Sequence, residues 1–246
     1  MAEKQWFKDW FNSSYYHLLY FNRDEKEAES FIERLIAHLK PAPGSYMLDV
    51  ACGRGRHSKT LAEHGFFVTG IDLSLESILE AKKSEKENLQ FFQHDMRLPF
   101  CINYYDYAFN FFTSFGYFRT EREHDNAIRS IADALKHGGI FVIDYLNVHY
   151  AEAHLIPAEK KIIEGVEFRI ERRHDEEHFY KTIHVTDPAN DFEAEHTEVV
   201  AKFSLGDFND MLSFHGLQVE EVFGDYFFAH YDVMRSPRLI IIAKKR

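Results

Sequence analysis

Cysteine is scarce: Cys52 and Cys101 are the two in 246 residues. That is too few for a disulfide framework, so a reducing compartment is expected and the chain reads as cytoplasmic. Positive charge is also short, since 29 Lys and Arg face 40 Asp and Glu and leave a net charge of −11. A nucleic-acid or anionic-membrane binder needs a basic face, so neither partner is expected. No stretch approaches the roughly 18–20 apolar residues of a membrane span, and no charged-then-apolar leader opens the sequence. Metal-ligand spacing is missing too. His174–His178 spells H-x-x-E-H, but zinc needs both histidines on one helical face, and here the pattern joins two β-like runs. It reads as a hairpin tip; His154, His184 and His196 fall on separate elements, and no metal is expected. Aromatics are not scarce. With 24 Phe and 13 Tyr the chain can fill a core and still line a pocket, and its length suits one large domain or one with an insertion.

The informative stretch is Met47–Ser58, MLDVACGRGRHS. The apolar run Tyr46–Val50 predicts a buried strand, Gly53 and Gly55 punctuate a turn, and His57–Glu63 begins a helix that Gly65 closes. Strand, glycine turn and helix make the first half of a βαβ unit. In open α/β sheets such turns, at the carboxyl end of a strand, bind ligands. Glycine permits positive φ and close approach to the backbone, and the helix start offers N–H groups to a carboxylate or phosphate. A dinucleotide turn wants G-x-G-x-x-G, yet the third position is Ser58. Asp49 enters the same turn, where it would repel a pyrophosphate but suit a ligand bearing ammonium and sulfonium groups. S-adenosylmethionine (SAM) is such a ligand. Downstream, the strand Phe67–Ile71 ends in Asp72, 19 residues past Gly53; an acid about 20 residues beyond the turn can accept both ribose hydroxyls. That geometry serves NAD and SAM alike, and Asp72 as a helix cap is the plain alternative.

Four ordered landmarks carry a family resemblance: D-x-x-C-G-x-G (Asp49–Gly55), GIDLS (Gly70–Ser74), HDM (His94–Met96) and LKHGGIFVIDYLN (Leu135–Asn147). Together they resemble class I SAM-dependent methyltransferases over about residues 45–148, with Lys136-His137 departing from the usual Lys-Pro. The resemblance implies SAM as cofactor and S-adenosylhomocysteine as product. It also implies a cofactor site built from the turn residues Asp49, Ala51, Gly53 and Gly55, with Asp72 on the ribose and Leu73 on the adenine. Asp95 would accept from the adenine amino group, and the Met96 backbone would pair with the ring. Phe112, Thr113 and Phe115, in the loop after strand four (Tyr105–Phe112), are candidates for the sulfonium side, although each ring can equally fill core.

The expected fold is α/β: a Rossmann-like, seven-stranded, mostly parallel sheet with helices on both faces, plus an inserted antiparallel β-subdomain. Residues 1–40 form an N-terminal helical flank or lid, 41–150 the SAM-binding core, 151–203 the insertion, and 204–246 a helix and strand pair completing the core. Residues 1–23 crowd Trp6, Trp10, Phe11, Tyr15, Tyr16 and Tyr20 together. They either patch the outside of the sheet or cover the cofactor; the second reading, implied by the resemblance, places Tyr15, Tyr16 and Arg23 near it. Asp24-x-x-Glu27 predicts a capping box for the next helix. The sequence predicts a helix over Glu121–Lys136 and strand five over Ile140–Leu146. Three β-like runs follow, Lys160–Arg172, Phe179–Thr186 and Phe192–Phe203, which either roof a substrate site or form a homodimer surface. Ser204-x-x-Asp207 caps another helix. The aromatic loop after Phe223, with Tyr226, His230, Tyr231 and Arg235, is placed on the outer edge, with a pocket role as the alternative.

The function expected is methyl transfer to a small molecule by in-line attack on the sulfonium methyl, with the protein supplying position and desolvation. A base is needed only for a protonated nucleophile. His149 and Tyr145, with Asn147 and Tyr150, are the nearest polar candidates past strand five. A non-catalytic SAM-binding regulatory module and an NAD-dependent oxidoreductase are the alternatives.

Overall fold

The computed structural model describes residues 6–20 and 25–246. Two short helices, α1 (Trp6–Phe11) and α2 (Ser14–Tyr20), precede α3 (Glu25–Leu39). The alternation then runs β1 (Tyr46–Val50), α4 (Arg56–Glu63), β2 (Phe67–Asp72), α5 (Leu75–Ala81) and β3 (Leu89–Gln93). It continues with β4 (Tyr105–Asn110), α6 (Glu121–Ala134), β5 (Leu135–Leu146) and α7 (Val148–Ala153). Four consecutive strands follow: β6 (Ala158–Ile163), β7 (Val166–His174), β8 (His178–Asp187) and β9 (Phe192–Ala201). The order is completed by α8 (Leu205–Phe214), β10 (Leu217–Phe223) and β11 (Arg238–Lys245).

The larger sheet has seven strands in the order β10-β11-β5-β4-β1-β2-β3, with β11 antiparallel to both neighbours and the rest parallel. Side chains alternate across it. Met47, Phe109 and Val142 therefore join α3 and α4 in one apolar cluster, while Leu48, Ala108 and Ile143 join α6 and α8 in the other. Both faces are covered, which is why these strands read as continuous apolar runs. Strand order turns around at β1, between β4 and β2, so the loops leaving β1 and β4 part and open a crevice. Among the described residues no helix is long and apolar enough to cross a membrane.

Helix starts follow local chemistry. Ser74 caps α5 through Ser77 N–H, Thr120 caps α6 through Glu123 N–H, and Ser204 and Asp207 form the reciprocal box of α8. The box predicted at Asp24 lies outside the described residues. Helix α6 ends at Ala134 and β5 starts five residues before Ile140, because Leu135 already pairs with Tyr105. The next ladder pair is Tyr107 with Ile140, and Gly138, at φ 80°, lets the intervening residues bulge out.

The second sheet is an antiparallel meander, β6-β7-β8-β9. The single run expected over Lys160–Arg172 is two strands, reversed by Glu164-Gly165, both at positive φ as a two-residue hairpin turn requires. His174 and His178 end one strand and start the next. One face of this sheet, with Phe168, Ile170, Ile183 and Val185, is covered by Trp10 and Leu19 of the N-terminal helices. Those helices thus pack on the small sheet, not on the outside of the large one.

Candidate active site

The turn after β1 is a run of left-handed backbone: Ala51 at φ 60°, Gly53 at 56° and Gly55 at 78°. Asp72, at the end of β2, pins it. One carboxylate oxygen accepts from Gly53 N–H at 2.8 Å and the other from Ser74 N–H at 2.8 Å. Asp72 is thus not the cap of α5, which is Ser74; it ties the β1 turn to the β2 turn. Burial raises its pKa, and hydrogen bonds from the Ser74, Gly53 and Leu73 backbone pull the other way.

Above this junction lies a cavity of about 310 Å³, within the range of small-molecule sites. Of the residues singled out in the sequence, Ala51, Gly53, Asp72 and Leu73 line it from β1 and β2. Asp95 and Met96 line it after β3, Phe112 and Thr113 after β4, and Tyr16 from α2. Asp95 is engaged by Arg97, whose Nε and Nη2 donate to its two oxygens at 3.0 and 2.6 Å. Phe112 stacks on His57 with centroids 5.0 Å apart, and the Arg56 guanidinium sits 4.4 Å from the same ring.

Several expected residues lie elsewhere. Asp49 is 1% exposed, outside the cavity lining, and accepts the Ser58 hydroxyl hydrogen bond at 2.5 Å. Its carboxylate therefore holds the first turn of α4, and Ser58 occupies the third fingerprint position for that reason. Gly55 is also outside the lining; a Cβ there would run into the Phe91 ring, so packing demands this glycine. Phe115 is fully buried among Phe118, Phe203 and Phe208. Tyr15 turns to the small sheet, stacking on Phe192 and donating to Asp187 at 3.0 Å. Arg23 lies outside the described residues.

Neither residue suggested as a base reaches the cavity. The Tyr145 hydroxyl is buried and donates to the Ala201 carbonyl, and burial pushes its pKa up. His149 is exposed on α7 and outside the lining. Asn147 is spent on the carbonyls of Val233 and Ser236, at 2.9 and 2.8 Å, where it ties down the loop before β11.

The roof was only half legible. Phe11, His17 and Tyr20 line the cavity beside Tyr16. Ser74 Oγ donates to Asn12 Oδ1 at 2.9 Å, fastening the helices to the turn after β2. From behind, Glu198 of β9 accepts from Trp10 Nε1 at 2.8 Å and Tyr20 Oη at 2.7 Å. No residue of β6–β9 lines the cavity itself. The inserted sheet therefore acts on the site by buttressing α1 and α2, a tertiary relation with no local sequence signal. His17 Nε2 is buried without a hydrogen-bond partner among the described residues, and burial, then Arg54, lowers its pKa.

Asp49 makes a pH prediction. Burial pushes its carboxyl up to about 6, with the Ser58 hydrogen bond opposing. Between the ordinary 3.8 and about 6 the folded chain keeps a proton that the unfolded chain releases, so stability falls as pH rises through that window. Denaturant titrations at about pH 4 and about pH 6.5 are expected to show a smaller loss for Asp49→Asn than for the native protein. Equal losses would remove Asp49 from the pH dependence.

Residues 47–139 match the methyltransferase-domain family. A putative methyltransferase of Bacillus subtilis (strain 168) is 38% identical over 101 residues, 40% of this chain and 41% of that protein. A dTDP-3-amino-3,4,6-trideoxy-alpha-D-glucopyranose N,N-dimethyltransferase of Streptomyces venezuelae is 30% identical over 131 residues, 52% of this chain and 54% of that protein. These alignments span about half the length of the curated relatives. Over nearly the whole chain the fold matches a SAM-dependent methyltransferase from Clostridium acetobutylicum ATCC 824, with a TM-score of 0.78 at 18% identity, covering 94% of this chain and 96% of the other. With its β1 turn, its β2 acid and its seven-stranded sheet in that order, the chain matches a methyltransferase domain over residues 47–139 and shares its fold with a solved SAM-dependent methyltransferase.

Proposed function

We propose that the protein transfers a methyl group from SAM to a small-molecule acceptor. The observation that carries this reading is the roofed cavity of about 310 Å³ at the junction of the β1 and β2 turns. Its residues fit the cofactor. Asp72 presents a carboxylate to a ribose, Leu73 and Met96 offer apolar surface to an adenine, and a Cβ on Gly53 would meet nothing within 4 Å, so a ligand can approach the backbone there. SAM, when bound, supplies an already activated methyl group.

The chain's own contribution is position and exclusion of water. Asp72 orients the ribose end, and α1 and α2 close the top, holding donor and acceptor in line in a drier medium. A small acceptor is supported by the cavity's size, by the acidic net charge of −11, and by the amino-sugar substrate named for the Streptomyces venezuelae relative. No base is assigned, since the residues suggested for it lie outside the cavity. Calorimetry with SAM, S-adenosylhomocysteine and NAD, followed by S-adenosylhomocysteine release across a metabolite panel, tests the reading. SAM binding with turnover on a small molecule is expected. NAD binding without SAM binding would overturn it, and SAM binding without turnover would leave the regulatory module instead.

A further inference from the structure

Among the described residues, two acids line the cavity, and both are satisfied from within the chain. Asp72 accepts from Gly53 and Ser74 N–H, and Asp95 from the planar fork of Arg97. Three cations line the same space from the β1 turn and α4: Arg54, Arg56 and Lys59. Arg56 is engaged on the Phe112 ring, 4.4 Å from its centroid. The side chains of Arg54 and Lys59 have no hydrogen-bond or ion-pair partner among the described residues. Arg54 is exposed and Lys59 half-buried, so both stand where the cavity opens. Glu80 of α5 feels both charges, but its partner is Lys83 at 2.5 Å, the largest cause of its lowered pKa. Across the cavity, burial and then Arg54 lower the pKa of His17, so the field of this guanidinium reaches the roof. The cavity wall thus holds uncompensated positive charge in a chain whose net charge is −11.

We propose that the methyl acceptor is an anion, a small molecule bearing a carboxylate or a phosphate, and that Arg54 and Lys59 are the residues that select it. The proposal rests on the SAM reading above. Water hydrates both side chains in the open cavity, and a bound molecule that displaces it must offer acceptor atoms or leave the charges stripped. The donor does not restore the balance, since SAM brings an ammonium and a sulfonium against one carboxylate. A cationic acceptor is poorly matched. Phe112, Phe118 and Tyr20 could attract one, but they already carry Arg56, Arg97 and Lys181 at 4.4, 4.9 and 4.4 Å from their centroids. Hydrogen bonds from a guanidinium or an ammonium to an anion are roughly twice as strong as neutral ones. A pair of them on one group separates an acid from its neutral analogue.

Inorganic phosphate, titrated by calorimetry into protein saturated with S-adenosylhomocysteine, reads this wall with the donor's carboxylate already seated. Phosphate is expected to bind. Arg54→Gln and Lys59→Gln are each expected to weaken it about fivefold, with S-adenosylhomocysteine affinity and the unfolding midpoint unchanged. Turnover is then compared on matched pairs, carboxylic acids against their amides and phosphate monoesters against the parent alcohols. The charged member is expected to show a kcat/KM at least about tenfold higher, and both variants to raise its KM with kcat nearly constant. If the variants lose S-adenosylhomocysteine affinity and phosphate binds only the unloaded protein, the cations serve the donor's carboxylate and the proposal falls. It falls equally if phosphate does not bind, if the variants leave phosphate binding unchanged (an adventitious ion only), or if the neutral members turn over as well. A native protein that binds neither SAM nor S-adenosylhomocysteine overturns the SAM reading instead, and the first titration tells the two failures apart.

Discussion

Asp72→Ala is expected to lower SAM affinity about a hundredfold, as charged hydrogen bonds contribute about 1.5–3 kcal/mol each and two ribose hydroxyls lose theirs. The variant also strands Gly53 N–H and Ser74 N–H, which donate to this carboxylate at 2.8 Å. Part of the loss therefore comes from loosening the β1 turn. Asp72→Asn separates the contributions: its carbonyl oxygen still accepts one backbone hydrogen bond at similar size, while the charge is gone. A loss of about tenfold is expected for it. Isothermal titration of both variants, with thermal unfolding as a control, checks the result; undiminished affinity in Asp72→Ala would take the ribose off this residue.

Gly55→Ala is expected to destabilise the fold by about 2–5 kcal/mol, combining overpacking with the left-handed strain. The glycine sits at φ 78°, and the new Cβ would strike the Phe91 ring, itself at 0% exposure. For a chain of this length that is a drop on the order of 10 °C in the unfolding midpoint. Gly53→Ala is the contrast. Its Cβ meets nothing within 4 Å, so only the strain of the turn, about 1 kcal/mol, bears on stability. Its damage is expected in SAM affinity, because the methyl stands where a ligand would approach the backbone. Two glycines two positions apart then separate cleanly in calorimetry and thermal unfolding. Equal stability losses would undo the division between a packing glycine and a ligand glycine.

The same two glycines show how far the sequence could be read. Both carry the motif, and motif chemistry alone assigns both to the ligand. Only Phe91, arriving from β3, separates them. Asp49 is parallel: its place in the turn suggested a partner for a cation, yet Ser58, nine residues on, takes its carboxylate at 2.5 Å. Asp72 was legible because it stands at the carboxyl end of a parallel strand, where strand direction delivers it to the crevice, whereas Leu73, Asp95 and Met96 came from the family resemblance; all four line the cavity. Tyr145 stands at a comparable place on β5, but its alternation points it to the α8 side, where Ala201 receives its hydroxyl.

Apolar periodicity, turn glycines and caps are local, and they carried the alternating α/β order, an antiparallel insertion read as three runs where there are four strands, and the turn after β1, while the seven-stranded core was what the family resemblance implied. Tertiary structure alone decided the rest. It set α1 and α2 over the cavity with Glu198 behind them, and it brought Asp144 to Phe112 across 32 residues, Arg238 to Thr113 across 125 and Tyr226 to Asp144 across 82. The reason is physical: a strand pattern states which side of a sheet a residue faces, but a buried charge or a strained turn is held only by whatever distant partner folding places within hydrogen-bond reach.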